Sequence, residues 1–384
     1  MATPDNVVAG RIAIVGLGHT AQGELPGHSA EENAVDAALL ALADAGLTVE
    51  DLDGLVACKS VQGQGNDVNV GALLGVNLPY VQSLDYGTCN FSLHLAVMAI
   101  VSGMANTVLL TYGANARSGK FDFGKPMYGA DMASAAGLVH IAGRAGLALQ
   151  RHKAIYGTTD EQFGMLAVGQ RDWAQKNPNA IFRTPLSMAD YLAEPYMVDP
   201  LRRSDVTMIS DGGVALVVTT AEHARQLPNP PVYISGMAEY AGVRAEHNPQ
   251  NLMRPWLRDS AMTIWASTGL RPADIDALYI QDPTAVWSLQ MLEYYGFCSI
   301  GEAGPFLAEG HTLPGGSLPL NTHGGQLSES YTWGWMHVVE AVRQLRDQAG
   351  ERQLDGPEIG MYCSSHGFVK AAVSVFSTNQ SVGQ

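Results

Sequence analysis

Apolar and polar positions along this chain follow a repeating rhythm of short apolar runs and longer amphipathic stretches. Arg11 to Gly16 (RIAIVG) is a brief apolar run ending in glycine, which predicts a buried strand. Behind it, His28-Ser29-Ala30-Glu31-Glu32 sets a serine cap and early carboxylates before the helical AVDAALLALADAG, because side-chain oxygens and negative charge satisfy the open N–H groups of a first turn. Strands are expected at Asp53 to Ala57, near Tyr80 to Leu84 and at Thr107 to Tyr112, with a helix from about Cys89 to Ala105. This alternation predicts an α/β fold whose mostly parallel sheet is covered by helices. From Ala114 to Leu201 the rhythm loosens, and aromatics, Met and Pro surround helical pieces such as Thr159 to Gln175, as in an insertion folded over a core. Regular alternation returns with SDGGVALVVTT, whose glycine turn feeds a strand at Val214 to Thr219. It continues with PVYISGMAEY as a strand, helices around Met253 to Gly269 and Val286 to Tyr295, and a strand at Ala277 to Ile280. A helix after Tyr331 and strands at Gly360 to Cys363 and Ala371 to Phe376 complete the chain.

The second set repeats the first. Gly46-Leu47-Thr48-Val49-Glu50-Asp51-Leu52-Asp53-Gly54-Leu55 matches Gly269-Leu270-Arg271-Pro272-Ala273-Asp274-Ile275-Asp276-Ala277-Leu278, each lying after an amphipathic helix and before a strand. Two similar halves follow, 1–228 (with the insertion at about 114–204) and 229–384. The helix after Cys89 (SLHLAVMAIVSGMA) then corresponds to the helix after Tyr331 (TWGWMHVVEAVRQL), and a pseudo-twofold arrangement would make these two central and adjacent.

Length and composition agree with two packed units. The 384 residues exceed one typical core, and 46% hydrophobic against 15% charged residues excludes disorder and leaves apolar surface for a subunit interface. A net charge of −15 argues against nucleic acid, while a local basic patch would still accept a CoA ester. Cys58, Cys89, Cys298 and Cys363 lack metal-ligand spacing, and the chain opens without a basic-then-apolar leader, so a reducing, cytoplasmic setting is expected, with no metal site. No apolar run reaches the ~20 residues that cross a bilayer. GLGHTAQG at Gly16 to Gly23 lacks the G-x-G-x-x-G spacing of a dinucleotide loop.

The duplicated unit, SDGGVALVV and the late GGSLPLNTHGGQLSESYTWGWMHVVEAVRQL resemble the thiolase superfamily, in particular its lipid-transfer, sterol-carrier-type branch. Within that branch the chain looks most like the bacterial steroid side-chain aldolases, which cleave β-hydroxyacyl-CoA by a retro-aldol step. The resemblance implies two βαβαβαββ halves in a layered α-β-α-β-α core and a homodimer. It also implies a zinc-ribbon and OB-fold partner completing a heterotetramer, and no tightly bound cofactor, CoA arriving as part of the substrate.

The same resemblance places Cys89 where thiolases carry their acyl-accepting cysteine. At a helix start, N–H groups and dipole favour a thiolate, although a small buried residue would also sit there. The usual helpers are absent, since Gln281 stands in place of one catalytic histidine and Leu327-Ser328-Glu329-Ser330-Tyr331 replaces the Gly-His-Pro segment that carries the other. Without a base a cysteine is a poor Claisen nucleophile. Tyr331, expected at the N-terminus of the second central helix, is instead a candidate for proton exchange with a substrate hydroxyl. Tyr294 and Tyr295 are candidates for a second proton-transfer group, with core packing as the alternative. Asp282 would cap the following helix or orient a catalytic group. Backbone donors for the thioester oxygen are expected from the turns around Gly324, Gly325 and Gly367. His323 and His366 are candidate bases, and His140 a weaker one. Two catalytic readings follow, a retro-aldol lyase using Tyr331 and an acyltransferase using Cys89, with a non-catalytic acyl-CoA-binding subunit as the third.

Overall fold

A computed structural model describes residues 6–85, 87–123, 135–242 and 252–384. Nine strands form one continuous hydrogen-bonded sheet: β1 (Ile12–His19), β2 (Gly54–Cys58), β3 (Tyr80–Leu84), β4 (Thr107–Ala114), β7 (Gly212–Thr220), β8 (Val232–Ala241), β9 (Ala277–Ile280), β10 (Ile359–His366) and β11 (Lys370–Ser377). A separate ribbon pairs β5 (Tyr196–Val198) with β6 (Leu201–Arg202). Eight longer helices are described: α1 (Ala30–Ala45), α2 (Asp67–Leu74), α3 (Cys89–Val101), α4 (Ile141–Tyr156), α5 (Asp160–Gln175), α6 (Leu257–Thr268), α7 (Ala285–Tyr294) and α8 (Trp335–Leu345).

The strand order β3-β2-β4-β7-β1-β8-β11-β10-β9 displays the duplication. In the first half β3-β2-β4-β7-β1 runs outward to inward. The second half repeats this as Leu320-β9-β10-β11-β8, where a single parallel bridge from Leu320 to Leu278 stands in for the edge strand. The halves meet where Ala13 and Ile14 pair with Tyr233 and Val232. The sheet is mixed rather than mostly parallel. Strands joined through crossover helices (β2 with β3 and β4) are parallel, whereas β7 pairs antiparallel with its neighbours and β10 with β11.

The three largest apolar clusters among the described residues lie in the three helical layers. One joins α1 to the outer face of the first half, one joins α6 and α7 to the second, and the middle one holds α3 and α8 between strands of both. A helix apolar on every side has to be buried on every side. Accordingly, most of α3 is buried; α8 is buried throughout except at Arg343 although it carries polar side chains. Close approach of α1 fixes the SDGG motif, because a Cβ on Gly213 would overlap the backbone of Asn33. Part of the expected insertion, 124–134, lies outside the described residues; α4 and α5 of that segment pack on the second half. Among the described residues no helix is long and apolar enough to cross a membrane.

Candidate active site

A pocket opens beyond the C-terminal ends of β9 and β10, the usual ligand position in open α/β sheets. Its wall combines Gly87 and Thr88 before α3, Phe123, Val139, His140 and Ile141 from the insertion, and Thr207 to Ile209. Gln281, Pro283, Tyr331, Trp333 and Ser365 to Gly367 complete it.

Tyr331 reaches this pocket, but not from a helix start. Helix α8 begins at Trp335, because Trp333 (φ 49°) and Gly334 (φ 78°) are left-handed and interrupt the chain before it. The dipole acts only within a first turn, so it does not bear on the phenol. Long-range contacts fix the residue instead. The Ser210 hydroxyl donates to the Tyr331 carbonyl at 2.9 Å and accepts from its N–H at 2.8 Å, so the SDGG motif pins its backbone. Its ring stands edge-on to Phe123 at 6.5 Å. The Trp333 indole N–H donates to the Tyr331 hydroxyl oxygen; an indole can only donate, so the phenol oxygen is the acceptor of this contact. Just upstream, Ile181 and Phe182 donate backbone N–H groups to the carbonyls of Glu329 and Ser328, tying the segment to the insertion.

Cys89 is the first residue of α3, yet it is fully buried and absent from the pocket wall. Burial, and then the neighbouring Cys58, pushes its thiol well above the usual range. Desolvation therefore outweighs the helix N-terminus expected to stabilise a thiolate.

His366 and Gly367 do line the pocket. Burial, and then Lys370, holds His366 down at about 4, so its imidazole is neutral at physiological pH. Gly367 is left-handed (φ 53°), and an added Cβ would meet no atom within 4 Å, as at a tight β10–β11 turn facing open space. His140 caps α4, its Nδ1 accepting from the Ala142 N–H at 3.2 Å.

The turn around Gly324 and Gly325 is directed elsewhere. Asn321 (φ 49°) brackets Ile280, accepting from its N–H at 2.8 Å and donating to its carbonyl at 2.9 Å. A Cβ on Gly324 would strike Ala174, and one on Gly325 would strike Gln170 and Asp282. These glycines serve close packing against α5 instead of presenting donors to a thioester. Asp282 does not cap the helix that follows it. It accepts from the N–H groups of Gln326 (2.9 Å) and Leu327 (3.3 Å) and from His337 Nε2 at 3.0 Å. Tyr294 and Tyr295 lie at the far end of α7, away from the pocket wall, where burial raises both phenols. The Tyr295 hydroxyl is 3.0 Å from Ser260 Oγ.

His323 is sealed behind the pocket with its ring edge-on to His337 at 4.5 Å and its Nε2 3.7 Å from Glu329. Burial, with His337 and two arginines, holds its imidazole well below the usual value, while burial raises the Glu329 carboxyl to about 8. Both shifts favour a neutral acid beside a neutral base over an ion pair, since the interior penalises both charges. This network, with Glu340 and Arg352, escaped the sequence reading. Its trace was there, however: His337, Glu340 and Gln344 form a polar stripe at helical spacing on a helix that is otherwise apolar but for Arg343.

A stability prediction follows. A carboxyl whose pKa rises from 4.5 to about 8 on folding favours the folded state below pH 4.5 and loses that contribution as pH climbs to 8. Glu329→Gln removes this dependence. In urea titrations its stability relative to wild type should climb between those values by up to about 1.4 kcal/mol per pH unit, and parallel curves would show that Glu329 is ionised in the fold.

The comparisons with known proteins agree with this architecture. Residues 240–378 match the family model described as Thiolase C-terminal domain-like. The chain is 36% identical over 366 residues to a steroid side-chain-cleaving aldolase of Thermomonospora curvata, covering 89% of this chain and 92% of the relative. It is 34% identical over 362 residues to a 17-hydroxy-3-oxo-4-pregnene-20-carboxyl-CoA lyase of Mycobacterium tuberculosis, covering 88% and 92%. Among solved structures, an Ltp2-ChsH2(DUF35) aldolase superposes with a TM-score of 0.88 at 33% identity, covering 97% of this chain and 99% of that one. By its sequence, its duplicated sheet and these likenesses, the chain belongs to the thiolase superfamily and, within it, to the thiolase-fold aldolases, carbon–carbon lyases, that these relatives represent.

Proposed function

We propose that this aldolase cleaves a β-hydroxyacyl-CoA whose acyl part is bulky and apolar, a steroid side chain being the type the relatives' names suggest, with Tyr331 as the proton-transfer group. The observation that carries this reading is the contrast between Tyr331, held in the pocket with an indole N–H on its oxygen, and Cys89, buried outside it with a raised pKa. Phe123, Val139, Ile141, Met208, Ile209 and Trp333 supply the apolar wall such a substrate needs.

In the reaction Tyr331, acting as its phenolate, takes the proton of the β-hydroxyl as that group becomes a carbonyl, and gives the same proton up again when the α-carbon is protonated. The Cα–Cβ bond breaks, its electron pair passes to the α-carbon and is shared with the thioester oxygen as an enolate, and a proton then returns to the α-carbon. No covalent acyl intermediate forms. No tightly held cofactor takes part, and CoA enters as part of the substrate.

Assembly belongs to the same reading. Strand β3 ends the sheet, and Val81 on it is exposed together with Val68 and Leu73 of α2; an open apolar edge of this kind favours pairing with a second copy. A zinc-ribbon and OB-fold protein is the proposed partner, consistent with the two-component aldolase that superposes on this chain. Incubation with β-hydroxyacyl-CoA esters, with and without that partner, should release a carbonyl fragment and a shortened acyl-CoA. Mass spectrometry should find no adduct on Cys89. An acyl adduct there without carbonyl release would instead establish the acyltransferase.

A further inference from the structure

Among the described residues Arg254 is a cation without an anion. Its side chain is fully buried between the helical layer and the β10–β11 hairpin, and its backbone is left-handed (φ 52°), a conformation costly for any residue but glycine. The guanidinium lies 4.3 Å over the Trp287 ring and 5.9 Å from that of Phe368. Nε donates to Gln290 Oε1 at 2.5 Å, Nη1 donates to Ser365 Oγ at 2.8 Å, and Nη2 has no hydrogen-bond partner among the described residues. Gln290 is itself held in place, since its amide donates to the Leu252 carbonyl at 2.8 Å. Burial lowers the Arg254 pKa to about 9, with the opposing influence coming from Tyr295 and Tyr294. A buried charge left unpaired is strongly disfavoured, and a core built for stability alone would place an apolar residue here.

One of its two acceptors faces the pocket. Ser365 lines the cavity beside His366 and Gly367, and its backbone N–H donates to Gln281 Oε1 at 3.2 Å, so the strand end that carries it is fixed. A serine hydroxyl that accepts from a guanidinium keeps its own single proton for another acceptor. It also becomes a better donor when the hydrogen bond it accepts is charge-assisted.

We propose that Ser365 donates a hydrogen bond to the thioester oxygen as it becomes an enolate, and that Arg254 is the positioning residue that orients and polarises this hydroxyl. The assignment rests on the retro-aldol reading above and names the oxyanion donor of that same site. The negative charge that Arg254 lacks in the resting protein then arises on the substrate: when the Cα–Cβ bond breaks, the electron pair delocalises onto the thioester oxygen, the Ser365 proton stays on serine, and no further reactant is needed. A fixed cation that meets its counter-charge only during the reaction stabilises the transition state more than the bound substrate.

The test uses the full chain in the preparation found active in the substrate screen. Ser365→Ala and Arg254→Met should each lower kcat by ~10²–10³-fold, the scale of one lost oxyanion donor, with KM shifted by less than about threefold. The double variant should be little slower than either single one, because Arg254 acts through Ser365. Arg254→Lys should recover part of the loss by restoring charge. Arg254→Met should melt no lower than wild type, since an unpaired cation has been removed, and this separates the proposal from a merely structural arginine. Unchanged kcat in Ser365→Ala, or full additivity in the double variant, would overturn the assignment while leaving the aldolase reading intact. A wild-type protein that releases no carbonyl product would instead remove the aldolase reading itself.

Discussion

Tyr331→Phe should lower turnover by ~10²–10⁴-fold, the usual contribution of one positioned acid–base group, while leaving the fold unchanged. The phenyl ring keeps its edge-on contact with Phe123, and both hydrogen bonds to Ser210 come from the Tyr331 backbone and survive the substitution. What disappears is the oxygen that receives the Trp333 indole N–H and the β-hydroxyl proton. Cys89→Ala should leave turnover close to wild type, because the thiol lies outside the pocket wall and burial keeps it protonated. In an acyltransferase the order reverses, since the acyl-enzyme cannot form without a thiolate. Steady-state rates for both variants, with circular dichroism to confirm folding, decide the matter: an inactive Cys89→Ala beside an active Tyr331→Phe would refute the aldolase mechanism.

The duplicated framework was legible because it is written locally. The serine cap before α1, the apolar character of α3 and the repeated segment before β2 and β9 each report on their own neighbourhood, and each element formed where expected. The site was legible only where a motif carried it. Tyr331 and His366 came from segment resemblance, but the start of α8 was misplaced by four residues because left-handed Trp333 has no local signature. Contacts that fix Tyr331 span 121 residues, from the SDGG turn to the SESY segment, and no periodicity reveals such a pair. Gly324 and Gly325 illustrate the converse error. A glycine-rich turn has the same appearance whether it admits a ligand or a neighbouring helix, and here the neighbour is α5. Arg254 was invisible for a related reason, since a buried arginine and an exposed one are spelled alike.

Glu340→Gln should destabilise the protein by ~3–5 kcal/mol, the scale at which losing one partner strands a buried charge. The Glu340 carboxylate, 1% exposed, receives Arg352 Nε at 3.0 Å and Nη2 at 2.9 Å, the Thr322 hydroxyl at 2.9 Å and the Gln344 amide at 3.3 Å. A glutamine there presents one acceptor oxygen where two now serve, and leaves the Arg352 cation, itself 5% exposed, without an anionic partner. Glu329 cannot replace it, because burial keeps that carboxyl protonated up to about pH 8. Replacing both partners, as Glu340→Leu with Arg352→Met, should recover much of the loss, since the large term is the stranded charge and not the net worth of the pair. Urea midpoints for the two single variants and the double provide the measurement. Turnover per folded molecule should remain near wild type in all three, as neither residue lines the pocket. Additive losses in the double variant would show that the pair is not coupled and that the buried stripe of α8 is held by packing alone.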